Sequence, residues 1–294
     1  MYYRRKILLA LLQTFGGTLP KIDFQKYLFL LNVNEQDPSF EFLPYKFGCY
    51  SFQANQDMQT MVKYNLVTDS EKNWQIKSEL NYLNELKVED KIRIKELHSR
   101  FGNLKGKNLI KYVYENYPYY SINSTIKENI LDGQQLTAVE NAKPTKNDIT
   151  LYSIGYEGKT VEHFTNQLIL EDIKVLCDIR KNALSMKYGF SKKQLKNVIE
   201  KAGIKYIHIP ALGIESDKRQ QLNTKDDYEN LFRSYEIETL PEKDDEISDL
   251  YNMFIENKRI ALMCFEADHN FCHRSRTIEA LKNKFEKDYL IKHL

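Results

Sequence analysis

From Ile149 onward, short apolar runs alternate with amphipathic stretches of helical period. Such an alternation predicts an α/β domain, a mainly parallel sheet flanked by helices. Ile149 to Ile154, Val175 to Ile179 and Ile260 to Phe265 read as strands. Tyr206 to Ile209 reads as a fourth, reached from a helix with Ser191 at its head.

The first half has a different rhythm. Residues 3 to 15 and Lys21 to Leu31 read as helices, the second with Asp23 as a candidate N-cap. Gln56 to Leu66 has helical spacing, Trp74 to Ile76 suggests a short strand, and residues 85 to 116 suggest one or two further helices. Helices followed by a small β-wing predict a mostly helical, winged-helix-like domain. The polar stretch Asn141 to Asn147, with Pro144, is linker in composition. It sets the expected domains at 1–147 and 148–294, in keeping with a length of 294 residues.

Charge gives no strong direction, because 43 basic residues against 41 acidic leave a net charge of +2. Any nucleic-acid contact must therefore be local, and Arg4, Arg5, Lys6, Lys21, Lys26 and Lys46 form a candidate basic face; interspersed acids favour ordinary solvated surface instead. Tyr45, Phe47, Tyr50 and Phe52 read as core rather than as a base-stacking platform. Arg4-Arg5-Lys6 before Ile7 to Leu12 imitates a signal peptide, but the apolar run is short and no small-residue cleavage site follows, so an amphipathic helix is expected. No membrane span is expected either. Four cysteines without CxxC spacing fit a reducing, cytoplasmic setting.

In open parallel sheets, ligands bind in the crevice outside the carboxyl ends of the strands. Four strand ends here are polar or permissive: Gly155-Tyr156-Glu157-Gly158, Asp178 with Arg180, Pro210 with Gly213, and Glu266. Asp178 and Glu266 are the candidate catalytic pair, one to activate water and the other to protonate a leaving group. Arg180 and Arg274 are candidate anion clamps, Arg276 adds positive charge at a helix start, and Tyr156 could stack on a base or donate a hydrogen bond. An alternative for Asp178 and Arg180 is an ion pair that closes the sheet.

Cys272 beside a helix start could be an activated thiol, but only His273 separates it from Arg274, unlike the five-residue spacing of a cysteine-phosphatase loop. Cys177 and Cys264, in apolar runs, read as buried small side chains. A metal site of Cys272 with His273, His269 and Asp268 is set aside, since adjacent helical residues do not face one ligand. No metal and no cofactor are expected.

At these residues the sequence resembles the family known as domain of unknown function 488. The resemblance rests on Ile154-Gly155-Tyr156, on Asp178-Ile179-Arg180, on His208 to Gly213, and on Cys264-Phe265-Glu266 with Cys272-His273-Arg274-Ser275. It covers most of 150 to 285 and implies an α/β domain with a polar site that includes His208, Cys272 and His273 among its substrate-binding residues. It also implies action on nucleic acids or nucleotides in prokaryotic genome conflict. Residues 1 to about 80 resemble a winged-helix-like module that accompanies such domains. The leading expectation is a hydrolase that cleaves an N-glycosidic or phosphoester bond of a nucleic acid or nucleotide. A non-catalytic sensor of a nucleotide or modified base, and a Cys272-dependent transferase, are the alternatives.

Overall fold

The computed structural model describes residues 1–219, 224–286 and 289–294. The chain forms two compact units, Met1–Lys143 and Pro144–Leu294.

The first unit is helical around a small sheet. Its elements are α1 (Tyr3–Thr14), β1 (Thr18–Pro20), α2 (Lys21–Asn32), β2 (Leu43–Tyr45), β3 (Gly48–Tyr50), α3 (Phe52–Lys63), β4 (Val67–Asp69), β5 (Asn73–Ile76), α4 (Val88–Phe101), α5 (Gly106–Asn116) and α6 (Gly133–Asn141). Strand β5 pairs antiparallel with both β1 and β4, while β2 and β3 form a separate hairpin. Ile7 to Leu12 are all buried, so α1 is a central helix rather than an amphipathic surface one. Asp23 is not a cap either: it lies inside the first turn of α2 and accepts from the Gly106 N–H at 3.0 Å.

The candidate basic face is largely neutralised. Arg4 and Arg5 both reach the buried Asp57, at 2.5 and 2.7 Å, Lys6 pairs with Glu85 at 3.0 Å, and Lys21 pairs with Asp69. Lys26 is buried and donates to the carbonyls of Phe47 and Cys49 at 2.6 and 3.1 Å. These cations hold the fold together; Lys46 remains exposed. Tyr45, Tyr50 and Phe52 pack on one another with ring centroids 4.8 to 5.2 Å apart and are half-buried.

The second unit is the α/β domain. Its elements are β6 (Thr150–Gly155), α7 (Val161–Leu170), β7 (Val175–Asp178), α8 (Lys192–Lys201), β8 (Lys205–His208), α9 (Lys225–Ser234), α10 (Asp244–Asn257), β9 (Arg259–Cys264), α11 (His273–Phe285) and β10 (Leu290–His293). All pairings are parallel, in the order β10-β6-β9-β7-β8. Every residue of β6, β7 and β9 is buried, as expected of strands covered on both faces. Leu151, Val175, Cys177, Ile260 and Leu262 pack with Ile247, Leu250 and Phe254 of α10 and Ile278 and Leu281 of α11. The alternate residues, among them Ile154, Leu176 and Met263, face the other side and are equally buried.

Two glycines press the loops of the strand ends together. A Cβ on Gly155 would lie 1.8 Å from the Glu266 carbonyl oxygen, and one on Gly213 would lie 2.1 Å from the Lys181 nitrogen. Only glycine allows either approach. The loops after β6 and β9, and those after β7 and β8, are thereby held in contact.

Candidate functional site

Parallel register brings the strand ends into line: Gly155 lies opposite Cys264, and Asp178 lies between Met263 and His208. Gly155, Asp178 and His208 therefore lie along one edge of the sheet. Their individual surroundings differ sharply.

Asp178 is fully buried and both its oxygens are occupied. Arg180 donates from Nε to Oδ1 at 2.8 Å and from Nη2 to Oδ2 at 2.6 Å, and the Tyr206 hydroxyl donates to Oδ2 at 2.6 Å. Arg180 uses Nη1 on the Tyr156 hydroxyl and the Phe190 carbonyl, at 3.1 and 3.0 Å. The pair is the ion pair that closes the sheet, with its donors and acceptors satisfied inside the protein. Burial and then the Asp178 carboxylate push the Tyr206 phenol well above its ordinary range, so it stays a donor.

Tyr156 is also buried. Its ring stacks on Phe190 at 4.4 Å and meets the edge of Phe265 at 5.2 Å, which leaves no free face for a base. His208 is half-buried, with Nε2 donating to the Arg180 carbonyl at 2.8 Å.

Arg274, cast as an anion clamp, is buried and turned toward the backbone. It donates from Nη1 to the Glu266 carbonyl at 2.6 Å, from Nη2 to the Ala267 carbonyl at 2.9 Å, and from Nε to the Ser153 hydroxyl at 3.2 Å. The chain after β9 is shaped by this guanidinium. The Glu157 carboxylate adds a contact to the Ala267 N–H at 2.9 Å. Arg276 stands apart, partly exposed, paired with Glu236 at 3.3 Å and lying over the Phe232 ring.

Glu266 is the candidate carboxylate that is half-buried rather than sealed. The Cys264 thiol donates to its Oε2 at 3.1 Å, and Phe265 beside it is 42% exposed. Lys187 reaches the Tyr156 carbonyl at 3.0 Å, and burial lowers its pKa. Burial, then the Arg274 charge, lowers Lys159 to about 8.

Cys272 is 1% exposed, and burial, followed by the neighbouring Cys264 thiol, raises its pKa well above the usual thiol range. An activated nucleophile needs the opposite shift. Its placement nevertheless corrects one expectation. Cys272 is not a helical residue: with φ −138° and ψ 137° it is extended, and α11 starts at His273. Consecutive side chains can then converge. His273 Nδ1 lies 3.6 Å from Cys264 Sγ and 3.9 Å from Cys272 Sγ, and the ligand atoms of these three residues all fall within 4.8 Å of one another. They are the cluster, among the described residues, that could hold a metal ion; His269 and Asp268 are not part of it.

Sequence reading also missed Ser153, Tyr206 and His293. His293 Nδ1 meets the Ser153 hydroxyl at 2.7 Å, and its ring stacks on His269 at 3.6 Å. The only sequence signal was the apolar pair Leu290-Ile291 before it, too short to mark a strand.

No curated protein matches the chain. Residues 160–281, a span that begins after β6 and ends within α11, match the family model described as Domain of unknown function DUF488, and over that span the C-terminal half of the chain is similar to this family.

Proposed function

We propose that the C-terminal unit is a hydrolase acting on a nucleic acid or nucleotide, with Glu266 as its acid/base group. The observation that carries this reading is the half-buried Glu266 carboxylate at the carboxyl edge of a parallel sheet, hydrogen-bonded by the Cys264 thiol at 3.1 Å. A carboxylate in that setting can take a proton from attacking water and return it to a leaving group. The exposed Phe265 ring next to it offers a surface on which a base can stack.

In this reading Asp178 and Arg180 are positioning residues: they fix Tyr156, Tyr206 and the loop after β7 around the crevice. Lys187, on the Tyr156 carbonyl at the strand ends, supplies positive charge for phosphate. The bond cleaved is N-glycosidic or phosphoester.

The test is turnover of single-stranded DNA, RNA and nucleotides by the full-length chain and by Glu266→Gln. The substitution should lower turnover by about 10² to 10⁴-fold while ligand binding persists. Full activity in Glu266→Gln would overturn the assignment of Glu266. Binding without turnover in the unsubstituted protein would favour a sensor of the same ligands.

A further inference from the structure

We propose that Cys264, Cys272 and His273 bind a zinc ion, with the fourth coordination position on the Glu266 side. Tetrahedral zinc has Zn–S distances near 2.3 Å and Zn–N distances of 2.0–2.1 Å, so sulfur and nitrogen ligands sit about 3.5 Å apart along a tetrahedral edge. The His273 Nδ1 to sulfur distances are 3.6 and 3.9 Å. Both lie near that edge length, and the three ligand atoms fall within 4.8 Å of one another.

The imidazole is fixed in the ligating tautomer. His273 Nε2 lies 3.1 Å from the Ile179 carbonyl, which can only accept, so Nε2 carries the proton and the Nδ1 lone pair points at the sulfurs. A backbone carbonyl holding the distal nitrogen is the usual second contact of a metal-bound histidine. The ring is also packed against Tyr235, at 5.7 Å.

Charge balance suits the burial. All three side chains are buried. Zinc replaces two thiol protons, which pass to solvent, so the Cys264 hydrogen bond to Glu266 gives way to the metal, and the product of one dication, two thiolates and a neutral imidazole carries no net charge. A buried site of that kind avoids the cost of an uncompensated ion. Two thiolates and one imidazole are also a donor set that selects zinc over magnesium or calcium.

Glu266 is not one of the three ligands, although its Oε2 is 3.1 Å from Cys264 Sγ. Three protein ligands that leave a fourth position beside the half-buried Glu266 would be the pattern of a catalytic rather than a structural zinc ion. This deepens the hydrolytic reading and rests on it for the role of Glu266 alone. A zinc ion held by these three residues would supply a Lewis acid beside Glu266, whose carboxylate would take a proton from the attacking water and return it to the leaving group.

The experiment needs no substrate. Full-length protein, reduced and stripped with a chelator, is titrated with Co²⁺ and followed by absorption. One equivalent should give a thiolate-to-cobalt charge-transfer band with the visible bands of tetrahedral cobalt, and Zn²⁺ should bleach both. Cys264→Ser and Cys272→Ser should each weaken binding by about tenfold or more. Cys177→Ser and Glu266→Gln should bind one equivalent as the unsubstituted protein does. Far-UV circular dichroism of each apo-variant separates lost ligation from lost folding, and a folded cysteine variant that keeps the full charge-transfer band would overturn the site. So would absence of the band in the reduced, unsubstituted chain. Loss of binding in Glu266→Gln would overturn the open position. Metal binding without turnover would remove the hydrolytic reading and leave the ion in place.

Discussion

Arg180 grips the Asp178 carboxylate at both oxygens, Nε to Oδ1 at 2.8 Å and Nη2 to Oδ2 at 2.6 Å, where side chains of the two residues are 6% and 0% exposed. Two residues apart on an emerging strand, they face the same side, and low exposure leaves little water to compete for either charge. Asp178→Asn should therefore destabilise the protein by about 3–5 kcal/mol, the range for breaking a buried pair by removing one partner. Urea denaturation of the native and substituted chains measures it. A loss below about 1 kcal/mol would mean that the guanidinium finds another partner.

Gly155 tests how tightly the loops are locked. With a Cβ position 1.8 Å from the Glu266 carbonyl, alanine cannot enter without moving backbone. Gly155→Ala should lower stability by about 1–3 kcal/mol, as overpacking does, and displace the segment that carries Glu266. Thermal unfolding together with amide exchange across residues 265–268 would register both; an unchanged Tm would show that the loop yields freely.

Lys159 sets a pH dependence. Its folded value of about 8, lowered by burial and then by the Arg274 charge, lies below the ordinary value of about 10.4. Between those values the unfolded chain holds the additional proton, so stability from this group rises with pH across the window and is lowest beneath it. Relative to the native chain, Lys159→Met should be most favourable near pH 7 and lose that advantage toward pH 10. Parallel denaturation curves at the two pH values provide the comparison, and a constant difference would contradict the shift.

Strands β6, β7 and β9 were legible in the sequence because parallel strands buried on both faces are written as nearly unbroken apolar runs. Strand β10 was not: four residues at the sheet edge, mostly exposed, carry too little pattern. The positions of Asp178 and Glu266 at strand ends were equally readable. What they touch depends on side-chain reach. Arg274 is long enough to thread back to the carbonyls of Glu266 and Ala267, and no local pattern tells that outcome from an outward-facing clamp. Cys272 and His273 have the sequence spacing of helical neighbours, yet the single extended residue before α11 lets their side chains converge.

The sheet order has a consequence for how the chain is made. Strands β6 and β7 come first in the second unit yet never pair, because β9 lies between them. On the ribosome, the segment through His208 can build the β7–β8 pair and nothing wider. The gap closes when Arg259 to Cys264 emerge, and the same stretch delivers Cys264 and, two residues later, Glu266. Bridging of β6 to β7 and delivery of Glu266 to the strand ends thus come with one segment, while β10 joins the free edge of β6 only afterwards, and a chain cut short before β9 has neither the bridge nor the carboxylate.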